Sequence, residues 1–284
     1  MPAEPPVESP ATLADAYGLL SSADGWRPVA GGTDVLVQIT GELAPPPERV
    51  LDIWRLDELR GIALDGDALV LGALTTYTEI RRSTVCQELV PALVEAAATI
   101  GAAQIQNRGT LGGNAVNASP AGDTLPVLLA SDAQLVLGSA RGERTVPASE
   151  FWTGYRRTAM AADELLLRLR IPLPAGRQMR FRKVGTRRAQ AISKVVMALG
   201  WREDGGVWRD VRLALGSVAE RPIRARETEG VLEGAAPRRV TADHAAATVA
   251  AEITPIDDVR STADYRRAVT ARVLHRLLRE EGGW

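Results

Sequence analysis

Two stretches of this 284-residue chain spend glycine where little can be packed, VAGGTDVLVQI at 29–39 and RGTLGGNAVNAS at 108–119. Each places a Gly-Gly pair, Gly31–Gly32 or Gly112–Gly113, at the end of an extended run, with Thr33 and Asp34 or Thr110 and Asn114 beside it. Glycine has no Cβ, so it reaches positive φ and lets other atoms approach the main chain. Successive amide N–H groups then converge on one anion and threonine hydroxyls add donors, so phosphate oxygens are held without any lysine. Two such bends facing one another would grip a diphosphate from both sides, and a side chain at Gly112 or Gly113 would block that grip. Neither bend has the G-x-G-x-x-G of a doubly wound nucleotide fold, and no G-x-x-x-x-G-K-S/T occurs.

Other reactive residue types are few. Cys86 is the only cysteine, which excludes an internal disulfide and an iron–sulfur cluster held by this chain alone, since that needs about four thiolates. Its position before a helix reads as a small buried hydrophobe. His244 and His275 are the only histidines and lie far apart in sequence, so no histidine metal site is expected. Lys183 and Lys194 are the only lysines; carboxylates offset the arginines to a formal net charge of −1, which argues against a nucleic-acid surface. The composition, 45% hydrophobic and 24% charged, is that of a folded soluble protein, with no window near the ~18–20 apolar residues of a membrane span. The first residues lack a basic region and an apolar core, so no secretory signal is expected, and the cytoplasm is the expected compartment.

Elements must position the two glycine bends. The proline-rich start reads as a disordered lead into a helix over 11–22. RPVAGGTD reads as a strand running into the first bend, and VLDI at 50–53 as a short buried strand. GIALDGDALVLGAL alternates about an Asp-Gly turn, a hairpin signal. TYTEIRRS and QELVPALVEAAATI read as helices before the second bend, and Asp123 or Thr124 is placed to cap a helix through LPVLLAS. AQLVLGSARGERTV is a second hairpin and DELLLRLRIPLP a strand ended by prolines. Beyond Pro174 three strand-like runs precede three helices at 224–233, 241–253 and 262–280, an α+β pattern.

AGGTDVLVQ together with TIGAAQIQNRGTLGGNAVNASPAGDTLPVLLA closely resembles the FAD-binding medium subunit of the molybdenum hydroxylases, the family of xanthine dehydrogenases and aerobic carbon monoxide dehydrogenases. FRKVGTRRAQAISKVVMAL and STADYRRAVTARVL resemble the same subunit's C-terminal domain, so the likeness spans about residues 12 to 280. The resemblance implies an α+β chain: a vanillyl-alcohol-oxidase-type FAD-binding fold over 1–176, two α+β subdomains split near 55–60, then a C-terminal domain over 177–284 with a three-stranded antiparallel sheet and helices. By matching position, Pro28, Val29, Ala30, Gly31, Gly32, Thr33, Asp34 and Val35 wrap the FAD diphosphate. Thr110, Gly112, Gly113 and Asn114 close from the other side, while Ile100, Asp123, Leu166 and Lys183 complete the pocket beside the flavin.

The same resemblance implies that the flavin is the redox group, with no catalytic side chain and no metal on this chain. Neither histidine lies near the glycine bends, so non-covalent FAD is expected. Partners implied are a large molybdenum–pterin subunit, which hydroxylates the substrate, and a small subunit with two 2Fe–2S clusters, assembled as a dimer of heterotrimers. NAD+ or another carrier takes the electrons, and a purine or other N-heterocycle is the substrate class to which the reading leans. A free-standing FAD oxidoreductase of the same fold is the rival reading.

Overall fold

A computed structural model describes residues 5–22, 24–41, 45–187 and 190–284. The N-terminal part is a parallel three-stranded sheet in the order Val7–Glu8, Arg49–Asp52, Trp26–Val29. The proline-rich lead is thus partly ordered, contrary to expectation: Val7 and Glu8 pair with Val50 and Leu51, while residues 1–4 lie outside the described residues. Helix Leu13–Ser21 is capped by Thr12, whose side chain accepts from the amide of Asp15. It buries Ala16 and Leu20 in a core that also holds Leu51, Leu165 and Leu167.

The second part is an antiparallel five-stranded sheet in the order Ile62–Asp65, Ala68–Gly72, Leu165–Pro172, Gln134–Ser139, Gly142–Pro147. Both expected hairpins are present; Gly66 supplies the positive φ of +62° in the first turn. The central strand carries a bulge between Leu166 and Arg168. A register change of one residue exchanges the two faces of a strand. Leu165 and Leu167 therefore point into the N-terminal core, while Leu166, Leu169 and Ile171 point into a larger core beneath the helices. The run QELVPALVEAAATI divides into helices Thr84–Leu89 and Pro91–Ala98, because Pro91 has no N–H to continue the first helix but suits the start of the next.

The C-terminal part is an antiparallel sheet of three long strands, Gln178–Val184, Val195–Asp204 and Val207–Gly216, with the two-residue strand Ile223–Arg224 added at one edge. Alternation along Val195–Asp204 serves two cores at once. Val196 and Ala198 join the large core that also holds Leu125 and Leu128, whereas Val195, Met197 and Leu199 face the opposite way. That second face is covered by residues from helices Arg226–Leu232, Arg239–Glu252 and Ala263–Gly282.

Candidate cofactor site

The first glycine bend begins where strand Trp26–Val29 leaves its sheet and ends at the short helix Val35–Thr40. Gly32 has φ +75°, a conformation that costs a side-chain-bearing residue dearly. The carbonyls of Gly32 and Asp34 accept from Leu36 N (3.0 Å) and Gln38 N (2.9 Å). Among the described residues, the amides of Gly31, Gly32, Thr33, Asp34 and Val35 donate to no protein acceptor. An unpaired run of main-chain donors at a bend is a receptor for anionic oxygen. Gly31 has a different reason to be glycine: a Cβ there would lie 1.7 Å from the carbonyl oxygen of Arg108. The first bend therefore rests directly on the approach to the second.

The second bend is built otherwise than expected. Residues Leu111–Asn117 form a helix capped by Thr110, whose Oγ1 accepts from Gly113 N at 3.0 Å. Gly112 N donates to Ala73 O and Leu111 N to Thr75 O, both at 2.9 Å, and Asn114 N donates to Thr110 O at 3.0 Å. These amides are already paired, so this segment offers a wall rather than a second nest. A Cβ on Gly112 would stand 2.6 Å from both Ala73 Cβ and Ala73 O. Its bareness seats the helix against the residue that follows strand Ala68–Gly72, and a bulky residue there would strike the protein itself first.

Between bend and wall lies a cleft of about 390 Å³, within the usual range for small-molecule sites. Every residue from Pro28 to Val35 lines it, as do Thr110, Gly112, Gly113, Asn114 and Leu166. Three expected residues do not, and instead cluster at the junction with the C-terminal sheet. Lys183 Nζ lies 2.6 Å from Asp123 Oδ2 and 3.1 Å from Thr99 O, and Ser193 Oγ donates to Asp123 Oδ1. The two charged side chains are 10% and 8% exposed. Burial pushes the Asp123 carboxyl above its ordinary range, against the pull of Lys183 and of its hydrogen bonds. Ile100 packs on the large core, and its carbonyl accepts from Gln106 Nε2 at 2.9 Å. Neither Asp123 nor Thr124 caps helix Leu125–Ala130 through its side chain; Thr124 Oγ1 turns to Asn114 Oδ1 at 2.6 Å.

Of the lining residues that the sequence reading did not name, three carry polar groups that bear on the site. Asn117 stands at the end of the wall helix. Its Nδ2 donates to Asp34 Oδ1 at 2.9 Å, and its Oδ1 accepts from Arg156 Nη1 at 2.9 Å, tying wall to bend. The GGNAVNAS motif contains it, so a signal existed. Glu164 is buried, 2.6 Å from Arg144 Nε, and accepts from Ala161 N at 2.7 Å. Hydrogen bonding to Arg144 is the main reason its carboxyl titrates below the ordinary range. Tyr77 is a buried aromatic at the start of the expected helix, Tyr77–Arg82. Nothing local in the sequence marks either Glu164 or Tyr77.

Comparison with known proteins bears on this geometry. Residues 4–174 match the model of the FAD binding domain in molybdopterin dehydrogenase, and residues 180–281 match that of the CO dehydrogenase flavoprotein C-terminal domain. The chain is 33% identical to the xanthine dehydrogenase FAD-binding subunit of Escherichia coli over 280 residues, covering 96% of each. It is also 33% identical to the glyceraldehyde dehydrogenase medium chain of Sulfolobus acidocaldarius, covering 95% of each. Among solved structures, carbon monoxide dehydrogenase from Hydrogenophaga pseudoflava superposes with a TM-score of 0.93 at 31% identity, covering 97% of this chain and 96% of that one. The fold is thus that of an FAD-binding oxidoreductase subunit. The chain belongs to the flavoprotein subunits of the xanthine and carbon monoxide dehydrogenase family, the molybdenum hydroxylases.

Proposed function

We propose that this chain holds FAD non-covalently in the cleft and relays electrons from the 2Fe–2S clusters of a small partner subunit to NAD+ or another carrier. The observation that carries the reading is the run of five unpaired amides at Gly31–Val35, opening on a cleft whose far wall is the Thr110-capped helix. Bound there, FAD would supply chemistry that no side chain can, the acceptance and release of single electrons or a pair.

The chain's own residues have separable tasks. The Gly31–Val35 amides, with the Thr33 hydroxyl, bind the diphosphate. Asn117 keeps bend and wall in register through Asp34 and Arg156. Leu166 forms part of the cleft's lining, and the buried Asp123–Lys183 pair with Ile100 closes the flavin end where the two parts of the chain, divided at 176/177, share one core. Glu164 fixes the loop from Ala161 along the rim.

The partners are a large molybdenum–pterin subunit and a small iron–sulfur subunit, in a dimer of heterotrimers in the cytoplasm. The single cysteine supports the division of labour, since a thiolate-held cluster needs about four. The relatives named as medium chains support it too. The test is direct: the purified chain should carry one FAD per polypeptide, released into the supernatant by acid precipitation. A chain that takes up no FAD from solution contradicts the reading, and yellow colour left on the precipitate contradicts non-covalent binding.

A further inference from the structure

Tyr77 lines the cleft yet is 3% exposed, and among the described residues its hydroxyl has no hydrogen-bond partner. A buried phenol ordinarily finds one. Five polar side-chain atoms of the described residues are sealed from solvent without a partner, and Tyr77 Oη is not among them. The unpartnered hydroxyl therefore retains access to the cleft that Tyr77 lines.

Its ring is held firmly. Tyr77 opens helix Tyr77–Arg82, capped reciprocally by Thr76 and Glu79, and its amide donates to Gly109 O at 3.2 Å. Cε2 lies 2.7 Å from where a Cβ of Gly109 would stand, so the ring occupies the space that glycine leaves. Burial drives the phenol's ionisation well above its ordinary range, and the charges of Asp34 and Asp123 act in the same direction. The hydroxyl is a neutral donor in the cleft that the diphosphate bend and Leu166 also line.

We propose that Tyr77 is a cofactor ligand, its hydroxyl donating a hydrogen bond to the bound dinucleotide on the flavin side of the diphosphate. This rests on the FAD reading above and adds a residue to it. Tyr77→Phe keeps the ring and removes only the donor. Binding of FAD to the deflavinated full chain should weaken about 2- to 13-fold, the worth of one net hydrogen bond. The visible absorption band of the bound flavin should shift, and the melting midpoint of the cofactor-free chain should stay within about 2 °C of wild type.

An unchanged Kd in Tyr77→Phe overturns the proposal. A weakened Kd with an unaltered flavin band overturns the flavin-side placement. A fall in the melting midpoint of the cofactor-free variant shows that the hydroxyl serves the fold instead, and overturns it as well. If wild type itself binds no FAD, it is the underlying function that fails.

Discussion

Substituting Gly31 by Ala tests the contact between bend and wall more sharply than any change in the wall itself. The new Cβ would lie 1.7 Å from Arg108 O and 2.5 Å from Arg108 C, whereas ordinary contact begins at 3.4 Å, so about 1.7 Å must be recovered. The Arg108 segment is poorly placed to give way. Its guanidinium lies over the Trp54 ring at 3.8 Å, and Gly109 N is bonded to Ile105 O at 2.6 Å. The bend must retreat instead, carrying its unpaired amides with it. Overpacking of this kind costs about 1–3 kcal/mol of stability. Loss of even one charge-assisted bond to the diphosphate, about 1.5–3 kcal/mol, raises the Kd for FAD roughly 10- to 150-fold. Gly66→Ala is the control: its φ of +62° disfavours a side chain, but nothing lies within 4 Å, so it should cost about 1 kcal/mol of stability and leave FAD binding alone. Fluorescence titration of the deflavinated chain with FAD measures the first effect and urea unfolding the second. Gly31→Ala binding FAD within about threefold of wild type would refute the close-contact argument.

Three further outcomes follow from the same geometry. Asp123→Asn leaves the buried Lys183 ammonium without its carboxylate and should cost about 3–5 kcal/mol in urea unfolding, with Lys183→Met added to it recovering most of the loss; no recovery would show that the pair is not coupled. Thr110→Ala removes the acceptor for Gly113 N and should cost about 1 kcal/mol, read as a lowered urea midpoint at unchanged slope. For Glu164 the folded carboxyl is held below its ordinary 4.5 by Arg144, so its stabilisation is present above that value and is lost as pH falls through the folded value. Arg144 is half exposed, so the amount is under about 1 kcal/mol, and wild type should lose that much more stability than Glu164→Gln on acidification below about pH 4.5; parallel curves would discount the pair.

Much of this fold was legible because its signals are local. Alternation about Asp65-Gly66 marks a hairpin wherever it occurs, and Pro91 ends one helix and starts another by its own chemistry. The first bend was legible for a similar reason, since Gly32 needs its positive φ and the amides around it are left unpaired. The second was misread. Bare glycines look alike in sequence whether their amides face a ligand or a neighbouring strand, and only the bond from Gly112 N to Ala73 O distinguishes the cases. The lead at Val7–Glu8 was missed because two residues of edge strand have no period; Val50 and Leu51 order them. Tyr77 and Glu164 reach the cleft only through long-range packing, which no spacing records.

The bulge in strand Leu165–Pro172 shows why the cleft lies where it does. With strict alternation, Leu165, Leu167, Leu169 and Ile171 would share one face, and the strand would serve one core. The slip between Leu166 and Arg168 splits them, giving Leu165 and Leu167 to the N-terminal core and Leu169 and Ile171 to the other. One strand thereby anchors both halves of the site, and the residues just before the slip, Glu164, Leu165 and Leu166, all line the cleft. The cleft is thus a seam between two separately packed cores, joined across its opening by Asn117 through Asp34 and Arg156. A long, two-ended ligand suits such a seam, because it contacts both halves at once and its binding energy holds them in register. A bend that met the anionic middle of such a ligand would need no lysine, for its unpaired main-chain amides would supply the donors and the second wall the shape.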